Sequence, residues 1–206
     1  MSGSAAVDWA RWHDRYDEDS PLARRLVVVQ ERIRELLDRA APGPISVVSL
    51  CAGQGRDLLP VLASHPRGKD VRARLVELDP RNVAAIPTVP NVEIVCGDAA
   101  QLSAYEGAVP ADIVLACGVF GNITDEDIRG TIEHLPMLCA PEAAVVWTRG
   151  ARGRDIRPAI RRWFAEHGFE EEFFLAEPDS FGVGVNRLAG RPQPLDTAVK
   201  LFTFVR

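Results

Sequence analysis

The feature that constrains this chain most is an apolar strand that turns through two glycines into an apolar helix. Val47 to Leu50 is the strand, Gly53 and Gly55 form the turn, and the helix follows near Leu58. Glycine accepts a positive φ and lets the backbone approach a ligand, and the free N–H groups of the helix face the same point. Because Gly-x-Gly also ends ordinary connections, the loop alone leaves both a ligand site and a simple turn open.

Three later strands also end in polar or glycine residues. Val71 to Leu78 ends with Glu77, Val92 to Cys96 leads to Asp98, and Asp112 to Cys117 leads to a glycine loop. An acid at the end of the second strand can accept both hydroxyls of a ribose, and Asp98 can accept from an adenine amino group. Since parallel strands end at one edge of a sheet, we expect these residues to face a single ligand crevice.

In this order the segments resemble the first three motifs of class I S-adenosylmethionine-dependent methyltransferases. Cys51 to Asp57 resembles the first motif, Val76 to Pro80 the second, and Cys96 to Ala99 the third. The resemblance runs from about Ile45 to the C-terminus. It implies an α/β, Rossmann-like fold with a seven-stranded, mostly parallel sheet, one antiparallel strand and helices on both faces. It also implies methyl transfer, with S-adenosylmethionine as cofactor and S-adenosylhomocysteine as product.

The resemblance also implies which residues hold the cofactor. Gly53 and Gly55 would lie under the methionine part, and Glu77 would bind the ribose. Asp98 and Ala99 would lie at the adenine. The full predicted set is Cys51, Ala52, Gly53, Gly55, Asp57, Glu77, Leu78, Asp98, Ala99, Cys117 and Gly118.

A dinucleotide-binding dehydrogenase is the main rival for such a glycine loop. The third small residue of its fingerprint falls on Leu58, whose bulk opposes close packing of helix on strand, and no second nucleotide half follows. One segment departs from the methyltransferase pattern, since only Arg81 to Ile86 separate the second strand from Pro87 to Pro90. We expect this adenine-side face to be thin or rearranged.

Composition excludes other classes of protein. With 206 residues, 47% hydrophobic and 26% charged, the chain fits one globular domain, and no apolar run approaches the ~20 residues of a membrane span. The start resembles no signal peptide, so we expect a cytoplasmic protein without a membrane partner. The net charge of −5 argues against broad nucleic-acid binding, and the four cysteines lack zinc-binding spacing. The oligomeric state stays open, a homodimer included.

The chain divides into an N-terminal helical extension or lid, 1–44, and a methyltransferase core, 45–206, within one compact domain. Ser20 and Pro21 predict the start of an amphipathic helix, since serine caps free N–H groups and proline suits the first helical position. Near the C-terminus, 171–176 and 198–205 are predicted as two strands that flank a long loop.

Methyl transfer from a sulfonium is an in-line displacement, so alignment and exclusion of water do much of the work and no metal is required. A hydroxyl or protonated amine acceptor needs a base, and His13 is the candidate. Asn122, after the fourth strand, is the candidate for orienting the nucleophile, although asparagine equally suits a turn that caps the next helix.

His13 is predicted to lie on an aromatic helical face that either packs on the domain or covers the site. In the second case Trp12 and Tyr16 would contact substrate or cofactor. Arg149, which leaves the fifth strand, is predicted to bind a carboxylate or phosphate of the substrate, and Phe181, in the last long loop, to shape an apolar pocket.

The sequence thus predicts methyl transfer to an oxygen or nitrogen atom of a small molecule, in keeping with a specialised biosynthetic role. Two alternatives stay open. A catalytically silent S-adenosylmethionine-binding or regulatory protein would keep the cofactor residues but lack an acceptor site. An RNA methyltransferase would need a contiguous basic face.

Overall fold

Seven strands and five α-helices make up the part of the chain that the structure, a computed structural model, describes: residues 20–151, 153–178 and 180–205. The strands are Ile45–Leu50 (β1), Val71–Glu77 (β2), Val92–Cys96 (β3), Ala111–Ala116 (β4), Cys139–Gly150 (β5), Phe169–Ala176 (β6) and Phe181–Leu188 (β7). The helices are Pro21–Arg39 (α1), Leu59–Ser64 (α2), Pro80–Ala85 (α3), Asp125–His134 (α4) and Arg157–Glu166 (α5).

The strands form one sheet in the order β3-β2-β1-β4-β5-β7-β6. The pairs from β3 to β5 are parallel, and β7 runs antiparallel to both β5 and β6. The predicted seven-stranded sheet with one antiparallel strand is therefore confirmed. Strand order reverses between β1 and β4, and ligands of open α/β sheets bind at the carboxyl ends of the strands beside such a switch point.

Helices cover both faces of the sheet, because the central strands are apolar on both sides. In β1, Val48 and Leu50 pack in the core under α4 and α5, whereas Ile45 and Val47 pack in the opposite core under α1 and α2. The helix α1 begins as predicted. The Ser20 hydroxyl accepts a 3.1 Å hydrogen bond from the Ala23 N–H, and Pro21 is the first residue of the helix.

The seventh strand lies where the sequence predicted a long loop. Residues 181–188 form β7, whereas 198–205, predicted as a strand, make one isolated bridge, between Lys200 and Gln101. The prediction was wrong because β7 contains two glycines, and glycine is depleted in strands when only local preference is considered.

Gly184 of β7 is explained by the strand beside it. A Cβ at this position would lie 2.3 Å from the indole ring of Trp147 on β5, so glycine makes room for the ring. The buried indole N–H then donates a 2.7 Å hydrogen bond to Oδ1 of Asn186. The glycine that weakens the local signal is thus required by packing.

The face between β2 and β3 is thin, as expected. Its helix α3 has six residues, and the neighbouring Leu78 side chain is 61% exposed. Among the described helices, none has the length and apolar character needed to cross a membrane.

Candidate active site

A cavity of about 960 Å³ opens at the carboxyl edge of the sheet. Its walls come from the ends of β1, β2, β4 and β5, the beginning of β7 and the first turn of α1. The predicted site residues on its wall are Cys51, Ala52, Gly53, Asp57, Glu77, Leu78, Cys117, Gly118, Asn122, Arg149 and Phe181. Gly55, Asp98 and Ala99 do not line it. Trp12, His13 and Tyr16 lie outside the described residues.

The glycine loop has three residues with positive φ: Cys51 at 51°, Gly53 at 57° and Gly55 at 72°. Gly53 lines the cavity, whereas Gly55 faces the core, where a Cβ would lie 2.7 Å from Leu59 and 3.2 Å from Leu75. Gly55 therefore acts through close packing beneath the loop, and Gly53 through its backbone at the cavity wall.

The carboxylate of Glu77 holds the glycine loop in place through hydrogen bonds. It is 7% exposed; its Oε2 accepts from the Gly53 N–H at 2.8 Å, and its Oε1 accepts from the Asp79 N–H at 2.9 Å and from Asn82 Nδ2 at 3.3 Å. Among the described residues Oε2 has one donor, and a carboxylate oxygen can accept two. The acid thus holds the loop and keeps capacity for a ligand hydroxyl.

Asp57 supplies a buried carboxyl on the same wall. Its Oδ1 has no hydrogen-bond partner among the described residues. Burial raises the pKa of Asp57 above its ordinary value, and the nearby guanidinium of Arg25 lowers it by a smaller amount. A buried polar atom without a partner is costly, so this position suits a ligand that brings a cationic donor.

The two cysteines of the cavity are neutral thiols. Burial, followed by the charges of Glu77 and Asp98, raises the pKa of Cys51, and burial followed by Asp57 raises that of Cys117. They serve as small apolar wall residues rather than as nucleophiles.

Asn122 fixes the loop after β4. Its Nδ2 donates to the Gly118 carbonyl at 2.7 Å, and the Gly118 N–H donates to Oγ1 of Thr148 at 2.8 Å. The cap of α4 is Thr124, whose Oγ1 accepts from the Asp127 N–H at 3.0 Å. Asn122 is therefore a turn residue, as its alternative predicted, but Thr124 and not Asn122 caps the helix; the Asn122 Oδ1 is the amide atom suited to accept from a ligand.

Asp98 and Ala99 lie beside the cavity without lining it. Oδ1 of Asp98 accepts from the Ala100 N–H at 3.0 Å, and its Oδ2 lies 3.5 Å from Nζ of Lys200. The C-terminal segment covers this loop, since Leu201 N–H donates to the Ala100 carbonyl at 2.8 Å. The C-terminal segment therefore packs around Asp98, the acid that was predicted to contact the adenine.

The cavity wall also includes residues that sequence reasoning did not predict for the site, among them Arg25, Thr148, Ser180 and Phe204. Phe204 lies on the cavity wall because the Val205 N–H donates to the Asn122 carbonyl at 2.9 Å. This bond attaches the C-terminal segment to the loop after β4. None of the four belongs to a motif, so no local signal could have found them. Among the described residues no cluster of three or more metal-ligating side chains occurs.

Solved structures with this architecture include several methyltransferases. Magnesium protoporphyrin IX methyltransferase from Synechocystis, with bound S-adenosylmethionine, superposes with a TM-score of 0.62 at 12% identity, covering 90% of this chain and 99% of that one. A TehB-like S-adenosylmethionine-dependent methyltransferase from Corynebacterium glutamicum gives 0.60 at 17%, covering 86% and 96%. A fibrillarin pre-rRNA processing protein from Methanococcus jannaschii gives 0.58 at 15%, covering 74% and 71%.

These likenesses establish the fold. No protein-family model and no curated protein sequence matches the chain. From the likeness to these solved structures, the protein has the fold of class I S-adenosylmethionine-dependent methyltransferases, as the three motifs predicted.

Proposed function

We propose that the protein transfers a methyl group from S-adenosylmethionine to an oxygen or nitrogen atom of a small molecule. The observation that carries this proposal is the cavity at the switch point, in which the carboxylate of Glu77 and the backbone of Gly53 meet on one wall. Methyltransferases of the same fold bind this cofactor, which supports the assignment. When bound, it supplies an electrophilic methyl group on a sulfonium.

The residues present fit such a cofactor. Glu77 would accept the ribose hydroxyls, and the Gly53 backbone would lie under the methionine part. The buried, unpartnered Oδ1 of Asp57 would accept from the ammonium group. Leu78, exposed on the cavity wall, is better placed for the adenine than Asp98, which lies against Lys200.

On the acceptor side, the chain's own residues orient and shield the nucleophile. Oδ1 of Asn122 would accept a hydrogen bond from the hydroxyl or amine, while the Nδ2 bond to Gly118 holds the amide in place. Phe181 and Phe204 are apolar wall residues that would exclude water. His13 as base, and Trp12 and Tyr16 as contacts, stay predictions.

The segment before residue 45 would serve as a lid on this core. The N-terminal end of α1 already lines the cavity through its cap Ser20 and through Pro21, Leu22 and Arg25, which supports the predicted extension. A cytoplasmic location and the oligomeric state are separate predictions that fractionation and sedimentation would test.

The first test is calorimetric titration with S-adenosylhomocysteine and, in parallel, with NAD. We expect the homocysteine adduct to bind and NAD to fail. Glu77→Gln should weaken binding by about tenfold or more, because a charged hydrogen-bond acceptor is lost. Glu93→Gln is the matched control, since Glu93 pairs with Arg74 outside this cavity. Binding of NAD alone, or of neither compound, would refute the proposal.

An RNA acceptor is a second candidate, favoured by the likeness to the pre-rRNA processing protein. The net charge of −5 opposes it. Salt-dependent RNA binding would support it. A silent cofactor-binding protein would bind S-adenosylhomocysteine and turn over no acceptor of any class.

A further inference from the structure

We propose that the acceptor carries a carboxylate, bound by Arg149 and Ser180 where β5 and β7 meet at the cavity, with its apolar body between Phe181 and Phe204. This inference rests on the proposed function, because it names the acceptor class for the same site. It concerns the part of the wall that the cofactor residues Gly53 and Glu77 do not form.

Arg149 is held between the end of β5 and the loop after β4. It pairs with Gly182 in the antiparallel register of β5 and β7, and its Nη1 donates to the Gly150 carbonyl at 3.1 Å. A Cβ on Gly121 would lie 3.8 Å from the same nitrogen. The guanidinium therefore lies beside the loop that carries Asn122, on the cavity wall.

The neighbouring arginines that the structure describes have other roles. Arg157 is 7% exposed, donates to both oxygens of Asp155 and to the Phe181 carbonyl, and is not on the cavity wall. Arg154 is exposed and pairs with Asp125. Arg149 is thus the cavity cation among the described residues from 149 to 162.

Ser180 adds a hydroxyl to this part of the wall. Its Oγ is buried and has no hydrogen-bond partner among the described residues. Its carbonyl accepts from the Ala151 N–H at 2.9 Å, and a Cβ on Gly150 would lie 3.8 Å from that carbonyl. The serine is therefore fixed next to the strand end that carries Arg149. A ligand oxygen would offset the cost of the buried hydroxyl.

The chemistry of the pair selects a carboxylate. Where β5 and β7 meet, the wall offers one guanidinium and one hydroxyl, which match the single charge and two oxygens of a carboxylate. The other arginines of the wall, Arg25, Arg56 and Arg81, belong to α1, the glycine loop and α3. A phosphate dianion calls for further cations or N–H donors at the same point. Phe181 is 6% exposed, and Phe204 is tied to the β4 loop through the Val205–Asn122 bond. Two aromatic walls suit an aryl or short alkyl acid.

The test uses protein saturated with S-adenosylhomocysteine and matched probes: benzoate, cinnamate and hexanoate, their carboxamides, phenyl phosphate and benzylamine. Calorimetry or ligand-observed NMR measures affinity. We expect carboxylates to bind best, Arg149→Gln to weaken them by about 10- to 100-fold, and Ser180→Ala to weaken them less. Arg154→Gln, which removes a nearby charge outside the cavity, should change nothing.

Preference for the carboxamides, the amine or the phosphate, absence of carboxylate binding, or affinity insensitive to Arg149→Gln would overturn the proposal. Arg149→Lys keeps the positive charge, so this variant must bind carboxylates better than Arg149→Gln does. That difference shows that the loss in Arg149→Gln comes from the missing charge and not from misfolding. If the wild-type protein failed to bind S-adenosylhomocysteine, that result would refute the proposed function itself, and with it the acceptor class that rests on it.

Discussion

The backbone N–H of Gly53 donates a 2.8 Å hydrogen bond to Oε2 of Glu77, so the loop after β1 is anchored by the acid that ends β2. Two motifs that are distant in the chain are thereby one structural unit. The acid has a structural role before any ligand arrives, and variants at this position need separate measurements of stability and of binding.

Loss of the Glu77 carboxylate should destabilise the protein even without ligand. Glu77→Ala leaves the Gly53 N–H and the buried Asn82 amide without their acceptor, at a cost of about 1–3 kcal/mol in the free energy of unfolding. Urea denaturation measures it. Glu93→Ala removes a mostly exposed partner of Arg74 and should change stability far less. Equal losses in the two variants would show that Glu77 does not anchor the loop.

Two glycine substitutions should have opposite signs. Gly184→Ala places a Cβ 2.3 Å from the Trp147 indole and should cost about 1–3 kcal/mol or more through overpacking. Gly130→Ala, inside α4 with nothing within 4 Å of the added Cβ, should stabilise by up to about 1 kcal/mol. Thermal denaturation compares them. Tolerance of alanine at 184 would contradict the packing account.

Stability should decrease with pH through the titration of Asp57. Its folded-state pKa is raised by burial, so the folded protein binds more protons than the unfolded chain above the ordinary pKa of about 3.8. The free energy of unfolding should therefore fall as pH rises from that value to the raised one and then level off. Asp57→Asn should remove this component of the slope. An unchanged slope in the variant, measured by denaturation at several pH values, would refute the assignment.

Asp98 should matter less for cofactor binding than Glu77. Asp98 lies outside the cavity wall against Lys200, whereas Glu77 is on the wall. We expect Asp98→Asn to weaken S-adenosylhomocysteine binding by a smaller factor than Glu77→Gln in the same titration. A larger effect at Asp98 would mean that the C-terminal segment moves aside and lets the acid reach the adenine.

The sequence by itself determined the fold class and the placement of Gly53 and Glu77 at one edge of the sheet. Apolar runs, the turn at Gly53 and the acid Glu77 are local patterns, and parallel strands bring their carboxyl ends together whatever the details of packing. The Ser20 cap and the short helix α3 follow from local preference in the same way.

Only the tertiary structure decided the strand β7 and the part of the cavity wall formed by Ser180 and Phe204. Gly184 weakens its strand locally and is explained by Trp147 on the neighbouring strand. Ser180 and Phe204 reach the cavity through contacts with residues far away in the chain, and Lys200 places a cation beside Asp98 by the same route. Such contacts leave no periodicity or spacing in the sequence, because each one forms only when the tertiary fold brings two distant segments of the chain together.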